Sequence, residues 1–572
     1  MSPFHKMTRH QLHKHPLFLA RAEFLDVEQR IQLAYRRAKL VLQTWNLSTQ
    51  DVRDLTKKFW DMYSDPLYIL DGAAFNVLVF SANLYCGTVA PHASKRPDLA
   101  RLVEQGLNGD IIGTFLLTEV GHGLDTHSVE TTATLIHDGF IIHTPHPNAA
   151  KHMAPTTPIP GIAKWGVVFA RLIAHGEDHG VHPFNIQITD EHGMCPDITS
   201  SRLPVRVGAA NLDFAITSFN HVHIPSSSFL GTSLDKPIDP YSLLNKYIWR
   251  IGVGSASIPL DAANMVAGAA TISTDYSFRR HVQRPGSGVV PVITFRTQQL
   301  PILQAVASAH VLRAWKGSYI DYLLQPNNDP REWNAMGFVF KATVTRLATH
   351  HVVRASERVG AQGLFGHNLM AEWEMDLRAM SIAEGDIVVL SIRLFLNALL
   401  KKLVLPEPSH SEALLSRHAS SLFMKASSIL SSLPDGHRDP GYNQHILPRS
   451  ESAVLALGHA FAYSAALDSG IPPPLLNLFE VMCIRQDEAW YVENAGLTQV
   501  KISEMEDAAL TAAVPNLTHY VDSLDVREYV SWIPIQSDER WEGWVSKIKT
   551  FRPEDQRPLS VAPKERQISA HL

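Results

Sequence analysis

The 572-residue sequence is poor in cysteine: Cys86, Cys195 and Cys483 are far apart and form no CxxC pair. That excludes a disulfide scaffold and fits a reducing compartment. Charge is also modest, at 19% of residues with a formal net charge of −5, which gives no electrostatic reason to bind nucleic acid. Long apolar runs are lacking. The longest is read as Ile387–Leu400, which Arg393 interrupts and which is shorter than the roughly 20 residues of a membrane span. The opening MSPFHKMTRHQLHKHP is basic and has no apolar core of the kind a secretory signal carries. There is no GxSxG elbow, HExxH or P-loop, no internal repeat stands out, and Gly252-Val253-Gly254 lies in a helical pattern, not after a strand. What remains is a soluble globular composition, 45% hydrophobic, on a chain long enough for three or four domains.

Periodicity divides the chain. Val27, Ile31, Ala34 and Leu40 recur at helical spacing, and Ser48-Thr49 opens a second amphipathic segment over Asp51–Met62. His5, His10, His13 and His15 are irregularly spaced at the start, so a solvated arm is expected there, not a metal site. From Thr131 the period turns strand-like. Thr131–Leu135, Phe140–His143, Gly166–Ala174, His182–Thr189 and Phe214–Ile224 are short and β-rich, and Asp138-Gly139 is a hairpin turn. His221 and His223 would share a strand face, but with no third ligand in sight no metal is expected. Helices return as Leu243–Gln283, Thr294–Leu324, Trp333–Leu364 and Ile382–Leu403, which suggests an antiparallel bundle. LPEPSHSE (405–412) links this to helical runs near 411–431, 448–470, 475–497 and 502–514. The expectation is an α+β multidomain chain. Its parts are an N-terminal helical domain (1–115), a β-domain (116–235), a helical bundle (236–404), a C-terminal all-α domain (411–550) and a polar tail (551–572).

One stretch stands out, Gly113–Thr134, GTFLLTEVGHGLDTHSVETTAT. Thr118 offers a hydroxyl at the edge of a turn in which Gly121 and Gly123 permit positive φ and close approach to a ligand. By composition alone this is an ordinary glycine turn. As a string it closely resembles the flavin loop of acyl-CoA oxidases, relatives of the acyl-CoA dehydrogenases. The resemblance continues through NAAK (148–151), VVFARL (167–172), TQQ (297–299) and AEGD (383–386), covering roughly Leu55 to Leu400 in order. It implies an acyl-CoA dehydrogenase-like fold. The second helical domain favours the oxidase branch, since the shorter dehydrogenases end after the first bundle.

The resemblance also implies a site. Glu384 in AEGD falls on the family's catalytic glutamate, the base that takes the α-proton of a thioester. Read alone, Glu384 would complement the positive end of the helix that follows. Ala383 stands where the family has an aromatic, and Asp386 closes the motif as a candidate cofactor contact. Arg279, in SFRRHVQR (277–284), corresponds to the arginine that meets the FAD pyrophosphate, where a guanidinium suits paired phosphate oxygens. Gln298 and Gln299 match a helix start that touches FAD across a dimer interface. RVGAQGL (358–364) keeps Gly360 and Gly363 of the family's Cys-Gly-Gly-His-Gly-Tyr loop and replaces the rest with Ala361, Gln362 and Leu364. Each has an ordinary reading too: Arg279 on a solvated face, the glutamines capping a helix, the glycines ending one.

The largest departure is KHMAPTTP (151–158), where the family reads Lys-Trp-Trp-Pro-Gly-Gly. Pro155 stands where a glycine N–H approaches the flavin's reactive edge, and proline has none. His152 and Met153 replace the aromatic wall. The expected function is therefore an FAD-dependent oxidase that desaturates an acyl thioester (acyl-CoA or another carrier) between Cα and Cβ with O₂ as acceptor, on an unusual or biosynthetic substrate. The alternatives are another reaction in the same site, such as isomerisation or cyclisation, or a non-catalytic partner subunit. A homodimer is expected. Ala570-His571-Leu572 resembles the Ser-Lys-Leu class of peroxisomal signals, so the expected address is the peroxisome, otherwise the cytoplasm.

Overall fold

The structure, a computed structural model, describes residues 8–206, 212–326 and 328–553. His5 and Ala570-His571-Leu572 lie outside the described residues. The first long helix, α1 (Val27–Trp45), starts on a capping box of Asp26 and Gln29 and stops at Asn46 in the left-handed region. Its buried face carries Ile31, Ala34, Tyr35, Ala38, Val41, Leu42 and Trp45. The preceding segment corrects the expectation of a solvated arm. Arg9–Lys14 forms a 3-10 turn whose His13 is only 5% exposed, packs its ring at a tilt against Tyr529 and faces Glu528 at 3.3 Å. Arg21 lies over the Trp532 ring, and Glu23 accepts from Trp544 Nε1 at 3.0 Å.

A continuous helical run follows from Gly72 to Ala93, with a π-helical middle over Val79–Cys86. By length and composition it could cross a membrane, and 94% of its most apolar window is buried inside the protein. It therefore displaces Ile387–Leu400 as the longest apolar element, and it is a core helix packed on the first strand and on the helix Trp249–Ser257. Tyr85, on this run, lies so close to Gly113 that a Cβ there would sit 2.2 Å from the ring.

The strands are β1 (Ile111–Leu116), β2 (Thr132–Ile136), β3 (Gly139–His143), β4 (Lys151–Pro155), β5 (Ala163–Ala174), β6 (Glu177–Thr189), β7 (Ile198–Arg202), β8 (Phe214–Phe219) and β9 (Val222–Pro225). The main sheet runs β1-β5-β2-β3-β9, with β6 against β5. The twelve-residue β5 takes β1 in parallel along its first half and β2 in parallel near its end. A second sheet is ordered β4-β8-β7. Leu116, Ala133, Phe140, Ile142, Val168, Ala170, Leu172, Phe184 and Ile186 pack into a separate apolar core between them. The expected strand Phe214–Ile224 is broken at Asn220-His221, with His221 at φ 56°. His221 consequently stacks on His143 at 3.8 Å, while His223 turns to Asp138. Among the described residues no cluster of histidine, cysteine or carboxylate side chains could hold a metal.

The bundle comprises α2 (Trp249–Ser257), α3 (Pro259–Arg279), α4 (Arg296–Leu323), α5 (Pro330–Arg358), α6 (Met370–Ile382) and α7 (Ile387–Leu399). The run expected as one helix over Leu243–Gln283 is split, because Pro259 has no N–H to continue the ladder and instead starts α3. Helix α6 was not anticipated. Further helices, among them Leu414–Ser432, Ser450–Asp468, Pro473–Gln486 and Gln499–Ala513, close the described chain. This is the expected fold class.

Candidate active site

Glu384 sits in the turn Ala383–Asp386 between α6 and α7. Asp386 caps α7, its Oδ1 accepting from Val388 N at 2.9 Å and Val389 N at 3.2 Å. That is a structural cap, and it explains why the turn stops where it does. Gly385 takes φ 101° and Glu384 itself φ 52°, a region that non-glycine residues enter at a cost of order 1–3 kcal/mol. The turn is held from behind. Lys341 of α5, fully buried, donates to Ala383 O and Gly385 O at 2.5 Å each and reaches Glu384 O at 3.5 Å. The Ser255 hydroxyl of α2 also donates to Glu384 O.

The Glu384 side chain turns inward. Its Oε2 is closed to solvent and has no hydrogen-bond partner, although the residue as a whole is half-buried. It lies over Gly254 of α2, where an added Cβ would sit 1.1 Å from Oε2. Arg250, one turn earlier, is wholly buried; it donates to Asn83 O at 3.1 Å and Val52 O at 3.0 Å and leaves Nη2 unpartnered. Gly87 makes room for it, since a Cβ there would meet Arg250 Nε at 2.1 Å. Burial pushes the Glu384 carboxyl up to about 8, with Lys341 and Arg250 pulling back. A buried carboxyl with a free oxygen and a proton affinity near that of the surroundings is equipped to take and return a proton. Gly254→Ala should displace this carboxyl, and a shift of about 1 Å at a reacting group can cost about 10²-fold. Steady-state turnover of the variant, with its melting temperature as control, is the check; near-wild-type turnover would contradict the placement.

The other expected site residues fall into two groups and one outlier. Gln298 Nε2 donates to Ser277 Oγ and to Arg358 O, both at 2.8 Å, so the end of α3, the start of α4 and the end of α5 converge. Gln299 spends its amide on Ile293 O at 2.8 Å and accepts from Arg296 at 3.2 Å. Gly360 takes φ 62° just past α5, with open space around it, whereas a Cβ on Gly363 would strike Ser356 O at 2.3 Å. Beside this turn Arg358 Nε, His367 Nε2 and Asn368 Oδ1 are buried without partners. The outlier is Arg279. Its guanidinium donates to Asp538 at 2.6 Å and to Ile535 O at 2.9 Å, so within the chain it serves the C-terminal helices.

The second group is the loop after β1. Thr118 donates its hydroxyl proton to His152 O, and His152 N returns a bond to Thr118 O at 3.0 Å. Glu119 and Lys151 form a fully buried ion pair at 2.8 Å, and Glu119 also accepts from Glu130 N and Thr131 N. Neither Gly121 nor Gly123 has positive φ, which corrects the expectation for this turn. Gly121 is instead pressed against Asn148, whose carbonyl accepts from its N–H at 2.8 Å, while Gly123 faces open space. Pro155 ends β4 and its carbonyl accepts from Lys164 Nζ at 3.1 Å. Lys164 is wholly buried and pairs with Asp213 at 2.6 Å; Tyr35 and Thr157 also donate to Asp213.

Sequence reasoning missed Lys341, Arg250 and Ser255. The available signal was a lone cation inside an otherwise apolar helical stretch, Phe338–Ala342 for Lys341 and Tyr247–Val253 for Arg250.

Residues 253–396 match the family of the acyl-CoA oxidase C-alpha1 domain. Over 231 residues the chain is 31% identical to peroxisomal acyl-coenzyme A oxidase 1 of Arabidopsis thaliana, a match covering 37% of this chain and 34% of that protein. The chain thus spans about a third of the length of this curated relative. The crystal structure of acyl-CoA oxidase 3 from Yarrowia lipolytica superimposes with a TM-score of 0.79 at 19% identity, over 98% of this chain and 92% of that one. Acyl-CoA oxidase-2 of Caenorhabditis elegans, solved with FAD, ascaroside-CoA and ATP bound, gives a TM-score of 0.75 at 15% identity, over 96% and 91%. The architecture is that of an acyl-CoA dehydrogenase-like protein. Within that class, the matched domain and the named relatives all point to the acyl-CoA oxidases.

Proposed function

We propose that the chain is an FAD-dependent oxidase that desaturates an acyl thioester between Cα and Cβ, delivering the electrons to O₂ as H₂O₂. The observation that carries this reading is the Glu384 carboxyl, buried, unpartnered at Oε2 and held in a positive-φ turn. A thioester α-proton leaves only to a base aligned with it, and Glu384 is such a base. Its Oε2 accepts the proton, while Arg250 Nη2 stands ready to hold the thioester's polar end or the carboxylate itself.

The unpartnered polar atoms fit a dinucleotide at one end, with Arg358 Nε and His367 Nε2 able to donate and Asn368 Oδ1 able to accept beside the open Gly360. Gln298 braces that end, and the Thr118–Gly123 loop would face the flavin ring. FAD, when bound, supplies the acceptor for the β-hydrogen and the route to O₂. The FAD and ascaroside-CoA held by the Caenorhabditis elegans enzyme support both the cofactor and a bulky acyl thioester as substrate class. His152, Met153 and Pro155, in place of the aromatic and glycine residues of the resemblance, support an uncommon acyl group. Pro155, without an N–H and with its carbonyl engaged by Lys164, also favours a second reading, in which Glu384 drives an isomerisation. Anaerobic addition of acyl thioesters distinguishes them: bleaching of the flavin supports the oxidase, whereas product formed without bleaching supports the isomerase.

Because the carboxyl is held high by burial and acts only once deprotonated, the rate of the proton-transfer step should climb with pH and level off above about 8. An ordinary glutamate, near 4.3, would give a flat profile over about pH 6–9. Pre-steady-state bleaching rates across that range decide between the two.

Leu364 and Phe365, 81% and 51% exposed beside the Gly360 turn, leave apolar surface for a second copy; a homodimer is the proposed assembly. Light scattering of the flavin-loaded protein should give twice the chain mass, and a stable monomer would count against it. The peroxisomal names of relatives support a peroxisomal address.

A further inference from the structure

Among the described residues three lysines are sealed in the interior, and two of them have carboxylate partners: Lys151 with Glu119, and Lys164 with Asp213. Lys341 has no such partner within ion-pair distance among the described residues. Its three protons converge instead on three consecutive carbonyls, those of Ala383, Glu384 and Gly385. Burying an ammonium is costly, and neutral acceptors repay that cost less fully than a carboxylate does. The three carbonyls can point together at one atom only because Glu384 and Gly385 both have positive φ. The cation and the unusual backbone therefore require each other.

We propose that Lys341 is the positioning residue of the Glu384 site: its ammonium gathers the three carbonyls, fixes the left-handed turn and so aims the carboxyl across Gly254 at the reacting carbon. This rests on the proposed role of Glu384 and adds a second function. When Glu384 is ionised, Lys341 is a cation beside it; when Glu384 takes the α-proton, the local charge rises by one. The charged and titratable groups facing Glu384 are Lys341 from α5, Arg250 from α2, Tyr63 from the helix Lys57–Tyr63 and Asp386 from its own turn, with Cys86 behind Tyr63 and Arg250. Burial pushes the Lys341 ammonium down, and Glu384 and Asp386 pull it back. Removing Lys341 takes away one of the two cations that favour the ionised carboxylate. A merely structural lysine, closing the C-terminal end of α6, would affect stability and leave the titration of Glu384 where it is.

The experiment compares Lys341→Met, Lys341→Arg and Glu384→Gln in the full-length, flavin-loaded protein, with an acyl-CoA as substrate. For Lys341→Met the expected result is a kcat lowered about 10²-fold, a KM within a few-fold of wild type, and a pH midpoint moved upward. Lys341→Arg keeps the charge but cannot direct one ammonium at three carbonyls, so its kcat falls while the midpoint stays in place. An infrared difference between wild type and Glu384→Gln gives the Glu384 carboxyl band without turnover, and its titration midpoint should rise in Lys341→Met. Wild-type kcat in either folded lysine variant, or an unmoved carboxyl band in Lys341→Met, overturns the proposal. Where the methionine variant does not fold, the arginine variant alone decides, by lowered or unchanged kcat. Full activity in Glu384→Gln would instead remove the base assignment, a separate failure.

Discussion

Glutamine in place of Glu384 lowers turnover of an acyl thioester by about 10²–10⁴-fold, the usual worth of a positioned general base. The shape of the side chain is retained, so the space over Gly254 stays filled. The Lys341 contacts are to backbone carbonyls and do not depend on the side chain. What is lost is the oxygen that can accept a proton. Flavin content and melting temperature should stay close to wild type, because below about pH 8 burial keeps the carboxyl protonated and glutamine replaces one neutral group by another of the same shape. The measurement is the rate of flavin bleaching in stopped flow alongside oxygen consumption. Unchanged rates in a folded, flavin-loaded variant would eliminate Glu384 as the base.

The second large effect is on stability. Lys151→Met leaves Glu119 buried without its cation, and breaking a buried pair from one side costs about 3–5 kcal/mol. Two backbone donors, Glu130 N at 2.7 Å and Thr131 N at 3.0 Å, still serve the carboxylate, which places the expected loss toward the lower end of that range. The double variant Glu119→Gln/Lys151→Met should recover part of it, since no charge is then stranded. Denaturant midpoints for the four proteins of this cycle test both statements. A loss of under about 1 kcal/mol in the single variant would show that the pair is not what pins the Thr118 loop to β4.

Much of the fold was legible because local pattern and tertiary role agree. The β-rich run Gly166–Ala174 announces β5, and Val27, Ile31 and Ala34 at helical spacing announce α1. Elements whose reasons lie elsewhere in the chain were not legible. β4 reads as irregular because it ends in proline and its register with β8 shifts between His152 and Pro155. The core helix from Gly72 hides its length because Asn76, Ser81, Asn83 and Pro91 interrupt the apolar count, yet Ser81 and Asn83 are buried and bonded to Gly113 N and Arg250 O. Helix α6 carries Glu372, Glu374 and Asp376 in one short span and looked like loop. At the site, AEGD named the carboxyl but could not name what holds it. Lys341, Arg250 and Gly254 come from two other helices, and only the packed bundle sets them around one turn.

The first described segment completes itself on one of the last. His13 meets Glu528 and Tyr529, Arg21 reaches Trp532 across 511 positions, and Glu23 receives the Trp544 indole across 521. A ribosome delivers these partners in an inconvenient order, since Arg21 emerges 511 residues before the Trp532 it contacts. Nascent chains therefore carry an unfinished edge around residues 13–23 until those partners are made, and it is there that a holding chaperone would find a long-lived target. A premature stop before Arg527 leaves two lesions far apart in the sequence: the missing helices, and the Arg9–Lys14 turn that had waited for them.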